Sequence, residues 1–393
     1  MALTDKSIFR PNDFEEIDDE KKQDIIDNNQ RASTSYLQDV WRRLKKNHTA
    51  MFGLIIIVLL ILIALFGPML SSYSYEDQNL NFISTPPRIE IRQVDEDSYI
   101  YVHQTLKVFT VTADGELLEP VAATKKDVMN KINYYEVDGH NLEIDYNNST
   151  FTITDENDNL ISVTDKVWNK RYLLGSDQLG RDMLTRVIYG ARVSLIIGFV
   201  ASFVNLTVGI LYGGFSGYMG GVVDDVMMRF VDIMRSIPRL LYVIVIMVIV
   251  GSGLKTVVLV IGLVYWLGMS RIVRGQVLSL KRNDYVLAAR TMGANTWNIL
   301  TKHLIPNAAG PIIIVTAMRI PGAIFTEAFL SFVGLGVSAP KASWGTMCNE
   351  AISSFQIYPY QLFVPAMAIC FTVLAFNLMG DGLRDSLDPK LRK

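Results

Sequence analysis

The 393-residue chain is poor in the residues from which most catalytic and metal sites are built. It has two cysteines, Cys348 and Cys370, and four histidines, His48, His103, His140 and His303. The cysteines show no CxxC spacing, which argues against a disulfide framework or a thiolate metal site. HExxH does not occur, and neither does the phosphate-cradling GxxxxGK[ST] loop. The chain is therefore not expected to be an enzyme, and no catalytic residue, metal or cofactor of its own is expected. Charge is scarce as well: 19% of residues are charged, against about 25% in soluble domains. The net charge of −2 is a sum over unlike segments and gives no reason to expect nucleic acid as a partner.

What the chain does have is apolar sequence. Half of its residues are hydrophobic, and they gather into runs near the roughly 20 residues needed to cross a bilayer. The expected fold class is an all-α polytopic membrane protein with six transmembrane helices and an inserted, strand-rich extracellular domain. Residues 1–50 read as a cytoplasmic tail with an acidic run at 13–20, and residues 51–70 as the first transmembrane helix. Arg42, Arg43, Lys45 and Lys46 abut that helix, so the positive-inside rule places the N-terminus in the cytoplasm. The long polar lead and the lack of a small-residue cleavage site make the run an uncleaved anchor.

Residues 71–173 change character. Between 72 and 170 there are 18 Asp and Glu against 8 Lys and Arg, a net of −10. Residues 99–111 are rich in aromatic and β-branched side chains. Residues 133–137 and 141–146 flank Asp138-Gly139, a hairpin signal. Residues 151–154 and 160–163 flank a second turn-like segment. Thr124 with Asp127 has capping-box spacing and predicts one short helix. The depletion in positive charge fits an outer location.

Residues 174–379 read as the helical core, with five more transmembrane helices. Met183, Val187 and Ile188 can share the face of an interfacial helix leading into the second span, at 193–212. Arg181, Arg186 and Arg192 would then lie outside, against the positive-inside trend. The third helix begins in the amphipathic stretch 224–235 and continues, after Pro238, through 240–251. In that stretch Asp232 and Arg235 either pair or face solvent. The remaining spans are placed at 256–269, 311–333 and 362–378. Gly213, Gly214, Gly217, Gly220 and Gly221 imply a bend or close packing. Residues 380–393 form a second cytoplasmic tail, with Arg384, Lys390, Arg392 and Lys393.

Between the fourth and fifth spans lies a polar, basic island at 271–307. Asp284 is read as the N-cap of a helix over 285–292. Gly293 fits the position just past the helix end, where φ is positive. Asn295 can cap a second helix over 296–304, stopped by Pro306. Ala288 and Ala289 are small enough for another surface to approach. A two-turn helix is unstable alone, so this one must pack on something. Two charges, Arg319 and Glu327, fall in the fifth span, where an exposed charge costs roughly 2.5–3.5 kcal/mol. They are expected to face a pathway, a partner subunit or one another. They are offset by about 80° around a helix, which favours a shared broad face over direct pairing. Asn377, in the sixth span, is read as a contact between helices.

The island resembles the EAA motif of ABC-importer permeases. It runs Leu287-Ala288-Ala289, three residues, Gly293-Ala294, then His303-Leu304-Ile305-Pro306, with the motif's Glu and first Ile replaced. The form from Tyr285 to Asn307 is similar to that of the peptide branch. Residues 174–195, 327–345 and 376–389 also resemble signatures of the C-type permease of dipeptide and oligopeptide importers. The resemblance implies a subunit of the bacterial plasma membrane with both termini in the cytoplasm. It implies a homologous second permease, and two cytosolic ABC ATPases that bind ATP and Mg. It implies an extracellular peptide-binding lipoprotein, a peptide substrate and surrounding membrane lipids. Asp284, Tyr285, Ala288, Ala289, Gly293, Ala294, His303 and Pro306 would then form the ATPase-coupling surface. Alternatives are a permease for nickel or another small solute, a membrane-anchored receptor or scaffold using the extracellular domain, and a self-sufficient secondary transporter. The six spans disfavour the receptor, and the lack of clear internal repeats disfavours the secondary transporter.

Overall fold

The computed structural model describes residues 36–147, 150–251, 253–337 and 341–387. The acidic run at 13–20 and the cations Lys390, Arg392 and Lys393 lie outside the described residues. The helices are α1 (Tyr36–Lys46), α2 (His48–Leu70), α3 (Met183–Met219), α4 (Gly221–Ser236), α5 (Arg239–Val250), α6 (Leu254–Leu280), α7 (Asp284–Thr291), α8 (Thr296–Asn298), α9 (Ile305–Asn307), α10 (Ala309–Phe332), α11 (Trp344–Ala351) and α12 (Tyr360–Leu387). Among the described residues, five are long and apolar enough to cross a membrane: α2, α3, α6, α10 and α12. A sixth span exists if α4 and α5, bent by 83° at their junction, are counted as one.

The second span is longer than the sequence suggests. No separate interfacial helix precedes it; α3 runs unbroken for 37 residues, about 55 Å. Asp182 starts it, its carboxylate accepting from the Thr185 amide at 2.8 Å. Arg186 is then one of the helix's buried residues rather than a cation at the lipid edge. The glycines of this helix divide between the two roles expected of them. Gly213 and Gly217 face α6; a methyl on Gly217 would lie 2.9 Å from the Arg274 carbonyl oxygen, and one on Gly213 would collide with that of Ser270. Such small residues let two backbones close up where no hydrophobic drive separates helix from lipid. Gly220 and Gly221, with φ of 66° and 54°, make the bend into α4.

Nine strands form the insertion between α2 and α3: β1 (Arg88–Gln93), β2 (Tyr99–Val102), β3 (Val108–Val111), β4 (Leu117–Val121), β5 (Ala123–Asp127), β6 (Ile132–Val137), β7 (His140–Asp145), β8 (Thr152–Thr154) and β9 (Asp165–Trp168). They build a five-stranded sheet in the order β4-β3-β2-β1-β9 and a four-stranded sheet in the order β5-β6-β7-β8. The hairpin at Asp138-Gly139 forms as expected: Val137 pairs with His140, and both turn residues have positive φ. Leu160 makes an isolated bridge to Thr154 rather than starting a strand. The short helix expected at Thr124 is absent. Those residues are β5, paired with β6, and Thr124 donates its hydroxyl across the pair to the Tyr134 carbonyl at 3.0 Å. Asp127 instead caps the following turn through the Met129 and Asn130 amides.

The insertion is fastened to the helices by a polar joint. Tyr360 donates to the Thr85 and Ser176 carbonyls at 3.0 and 2.7 Å, and Gln361 reaches Ser84 and Ser176. His103 lies buried beside this joint and stacks on Tyr358 with ring centres 5.8 Å apart. Its Nδ1 accepts from the Thr105 amide at 3.2 Å, so Nε2 carries the proton and donates to the Ser84 carbonyl at 3.1 Å. Burial lowers the His103 pKa; the Ser84 bond opposes this, and Lys107 adds to it.

Contacts along the bundle fix its polarity. Gly67 in α2 meets Ile188 in α3, while Gly53 in α2 meets Ala375 and Met379 in α12. Gly382 packs on Ala50, and Lys281 reaches Gly217. Helix α2 therefore runs antiparallel to both α3 and α12. The span expected at 256–269 runs on to Leu280, so the first ten residues of the island belong to α6; the described chain ends and the rest of the island share one end of the bundle, and the β insertion occupies the other.

Candidate functional site

The island is a folded part of the bundle. Val286, Ala289, Ile299, Leu300 and Leu304 are buried in one cluster with Met269, Val273 and Val277 of α6 and Ile312 of α10. Full burial of a side chain such as Val286 contributes roughly 1.5–3 kcal/mol, which α7 could not supply alone. The cap of α7 lies one residue earlier than the sequence suggests. Asn283 has the extended backbone, and Asp284 sits in the first turn, where its charge complements the helix dipole.

The end of α7 is closed as a full Schellman motif. The Ala294 amide donates to Ala289 and the Gly293 amide to Arg290, each at 3.0 Å, with Gly293 at φ +82°. Asn295 then accepts from the Asn298 amide at 2.8 Å and starts the next helix. Pro306 does not stop that helix. The segment Ile299–Leu304 is π-helical and passes through α9 into α10. The wider turn accommodates the missing proline donor, and the Asn307 side chain donates to the His303 carbonyl at 2.6 Å.

The candidate residues divide by exposure. Ala289 is buried; Asp284, Tyr285, Ala288, Gly293 and Pro306 are exposed, and Ala294 and His303 are half-buried. The two alanines, 100° apart around α7, thus differ in exposure: Ala289 lets α7 settle on α6, and Ala288 leaves the outer face low. Sequence reasoning missed Met292 and Trp297, which are 82% and 59% exposed. Their signal was apolar size at positions out of phase with the buried residues.

The charged residues of the spans are placed separately. Glu327 is fully buried and accepts from Ser194 of α3 at 2.9 Å and Ser331 at 2.8 Å. Arg319 lies against Gly268 of α6. Asn377 is exposed on α12. Asp232 pairs with Arg271 of α6 and not with Arg235.

At the opposite end, Arg181 and Arg186 converge on two carboxylates. Both bond Asp177 Oδ2, at 2.6 and 2.5 Å, and both bond Glu350 Oε2 at 2.7 Å. Arg192 donates to the Ala64 and Leu65 carbonyls at the end of α2. All three cations are thus paired with carboxylates or bound to backbone carbonyls within the protein. Among the described residues, no group of three His, Cys, Asp or Glu is placed to hold a metal.

Comparison with known proteins agrees with this architecture. The family described as binding-protein-dependent transport system inner membrane component matches residues 209–393, and the N-terminal TM domain of oligopeptide transport permease C matches residues 35–87. The chain is 38% identical to the oligopeptide transport system permease protein OppC of Bacillus subtilis (strain 168), over 92% of each chain. It is 37% identical to the dipeptide transport system permease protein DppC of the same organism, over 98% of this chain and 94% of that one. The glutathione transport system permease protein GsiD of Pectobacterium atrosepticum is 43% identical over 56% of this chain and 73% of that one.

Proposed function

The chain belongs to the inner membrane components of binding-protein-dependent transport systems, and from that premise we propose that it is one transmembrane subunit of an ATP-driven importer of oligopeptides or dipeptides. It supplies half of the translocation pathway. A homologous second permease supplies the other half, two cytosolic ATPases bind ATP and Mg, and an extracellular lipoprotein delivers the peptide. The observation that carries this reading is the closed, packed island at 271–307, held at the end of the bundle away from the β insertion. Asp284, Tyr285, Ala288, Gly293 and Pro306 present its outer surface to an ATPase, Ala294 and His303 flank it, and Ala289 seats it on α6. A rigid α7 joined to α10 through the π-helical segment can pass a push on the loop into a membrane span.

The orientation follows from charge. Arg42, Arg43, Lys45 and Lys46 stand beside α2 at the loop end, while the acidic insertion stands at the other. The loop end and both termini therefore face the cytoplasm, and the insertion faces outward to meet the binding protein or the partner permease. Purification in mild detergent tests the assembly. The expected result is co-purification of a second permease and two ATPases in fixed ratio. Recovery of this chain alone or as a homodimer, from cells that express all partners, would refute it.

A further inference from the structure

A basic groove lies along the exposed side of α7. It is lined by Tyr218 and Met219 at the end of α3, Lys281 and Arg282 just after α6, and Leu287 and Arg290 of α7. Its volume is about 390 Å³. Three of the six lining residues are cationic and none is acidic. Two of the cations are positioned in advance. Lys281 Nζ donates to the Gly217 carbonyl at 2.9 Å, and the Arg290 guanidinium sits 5.5 Å from the centre of the Tyr218 ring. Arg282 and Arg290 are exposed. Asp224, which also attracts Lys281, is taken up by two bonds of 2.6 Å from Arg274. Met219 and Leu287, both exposed, add apolar contact beside the charges.

The same chain carries the complement. Residues 13–20 hold six carboxylates, no cation and two apolar side chains, Phe14 and Ile17, three residues apart. Lys21 and Lys22 follow and still leave a net charge of −4 over 13–22. Helix α1 begins at Tyr36 and adjoins the start of α2, at the end of the bundle that holds the groove. Fifteen residues, 21–35, separate it from the acidic run. Fully extended they reach about 50 Å, farther than the roughly 20–30 Å across a bundle of helices packed at 8–10 Å. A segment tethered this way acts at an effective concentration on the order of 1 mM, so even a weak ionic contact is populated. Leu287 adjoins Ala288, on the face given above to an ATPase. Whatever fills the groove therefore covers one flank of that face.

We propose that the acidic run at 13–20 occupies this groove when no ATPase is seated, and that a docking ATPase must displace it. The competition rests on the importer reading above; the contact between run and groove does not. The test places benzoylphenylalanine at position 17 of the full-length chain, in membranes from cells that lack the two ATPases. Ultraviolet light is expected to cross-link it to peptides from 218–219 or 281–290 of the same chain. Arg282→Gln combined with Arg290→Gln should lower that yield severalfold, and so should adding the ATPases back to the unaltered protein. A second variant changes the tail alone: Glu15→Gln, Glu16→Gln, Asp18→Asn and Asp19→Asn together. It should bind the added ATPases roughly 2- to 10-fold more tightly at low salt, and the gain should shrink as salt screens the contact. Cross-links that fall on lipid, on α1 or on another subunit would overturn the proposal. So would a yield unchanged by the arginine substitutions, or an ATPase affinity unchanged by the tail variant. Uptake that proceeds without ATP would instead contradict the importer reading and leave the cross-link intact.

Discussion

Replacing Gly293 isolates the role of the loop, because a side chain there would meet no neighbour. No atom lies within 4 Å of where a Cβ would stand, so a substitution acts through the backbone alone. At φ +82° an alanine carries the left-handed penalty, about 1–2 kcal/mol. That lowers the population of the closed loop roughly 5- to 30-fold relative to its open form. Proline is worse in two ways. Its φ is fixed near −65°, and it has no amide to donate to Arg290, so the cost reaches roughly 3 kcal/mol or more. Helix α7 has eight residues and no reserve to absorb such a loss. Asparagine tolerates the left-handed region and should be mildest. The assay compares ATPase co-purification, binding-protein-stimulated ATP hydrolysis and peptide uptake in proteoliposomes. The expected order is Gly, Asn, Ala, Pro, with the proline variant losing its ATPases or hydrolysing ATP without transport. Normal uptake by Gly293→Pro would refute the reasoning, since no loop with proline there can keep the Schellman closure.

Three further outcomes follow from the packing. Gly213→Ala should cost about 1–3 kcal/mol by forcing α3 from α6, seen as a lower unfolding temperature in detergent, while Gly214→Ala, with its nearest neighbour at 3.7 Å, should be close to neutral. Arg186→Ala should destabilise by less than the roughly 3–5 kcal/mol of a broken buried pair, because Arg181 still holds Asp177 and Glu350, whereas the double variant Arg181→Ala with Arg186→Ala should lose that amount in the same melt. His103 stays neutral in the fold because burial lowers its pKa. Below the ordinary value of about 6.5 the unfolded chain binds more protons than the folded one, so the stability His103 lends is complete above that pH and declines as pH falls toward its folded pKa. Protection factors from hydrogen exchange around 84–106 and 358–361, corrected for the intrinsic pH dependence of exchange, should therefore fall on acidification, and His103→Gln should flatten that dependence.

Some of this was legible from residues alone. The apolar runs announced their helices because about 20 apolar residues have few other uses. Asp138-Gly139 fixed its hairpin locally, and Gly293 and Asn295 marked the loop's turns by backbone chemistry that needs no tertiary context. Thr124 and Asp127 misled because capping-box spacing is a local signal, and the pairing of β5 with β6 overrode it. Strand β1 does alternate, with Ile89 and Ile91 buried between polar residues, but over too short a run to stand out; β4 and β9 carry little pattern, and β9 joins the sheet by pairing with β1 across some seventy intervening residues. Pro306 read as a stop because proline cannot donate to the helical ladder, and the π-helical segment just before it lets the chain run on. The partners of Arg181 and Arg186 were out of reach: Glu350 lies 169 and 164 residues away in the chain. The inward turn of Ala289 and the outward turn of Ala288 depended on which side of α7 meets α6, which only packing decides.

The central claim is that ATP, acting through the loop at 271–307, drives solute across this bundle. The direct measurement is accumulation of a labelled peptide by proteoliposomes holding the full complex, with binding protein on the insertion side and ATP and Mg on the loop side. Ion gradients are collapsed throughout. The account predicts accumulation that requires ATP and Mg and disappears in Gly293→Pro. Accumulation that follows an imposed proton gradient without ATP, or that is unchanged in Gly293→Pro, would contradict it.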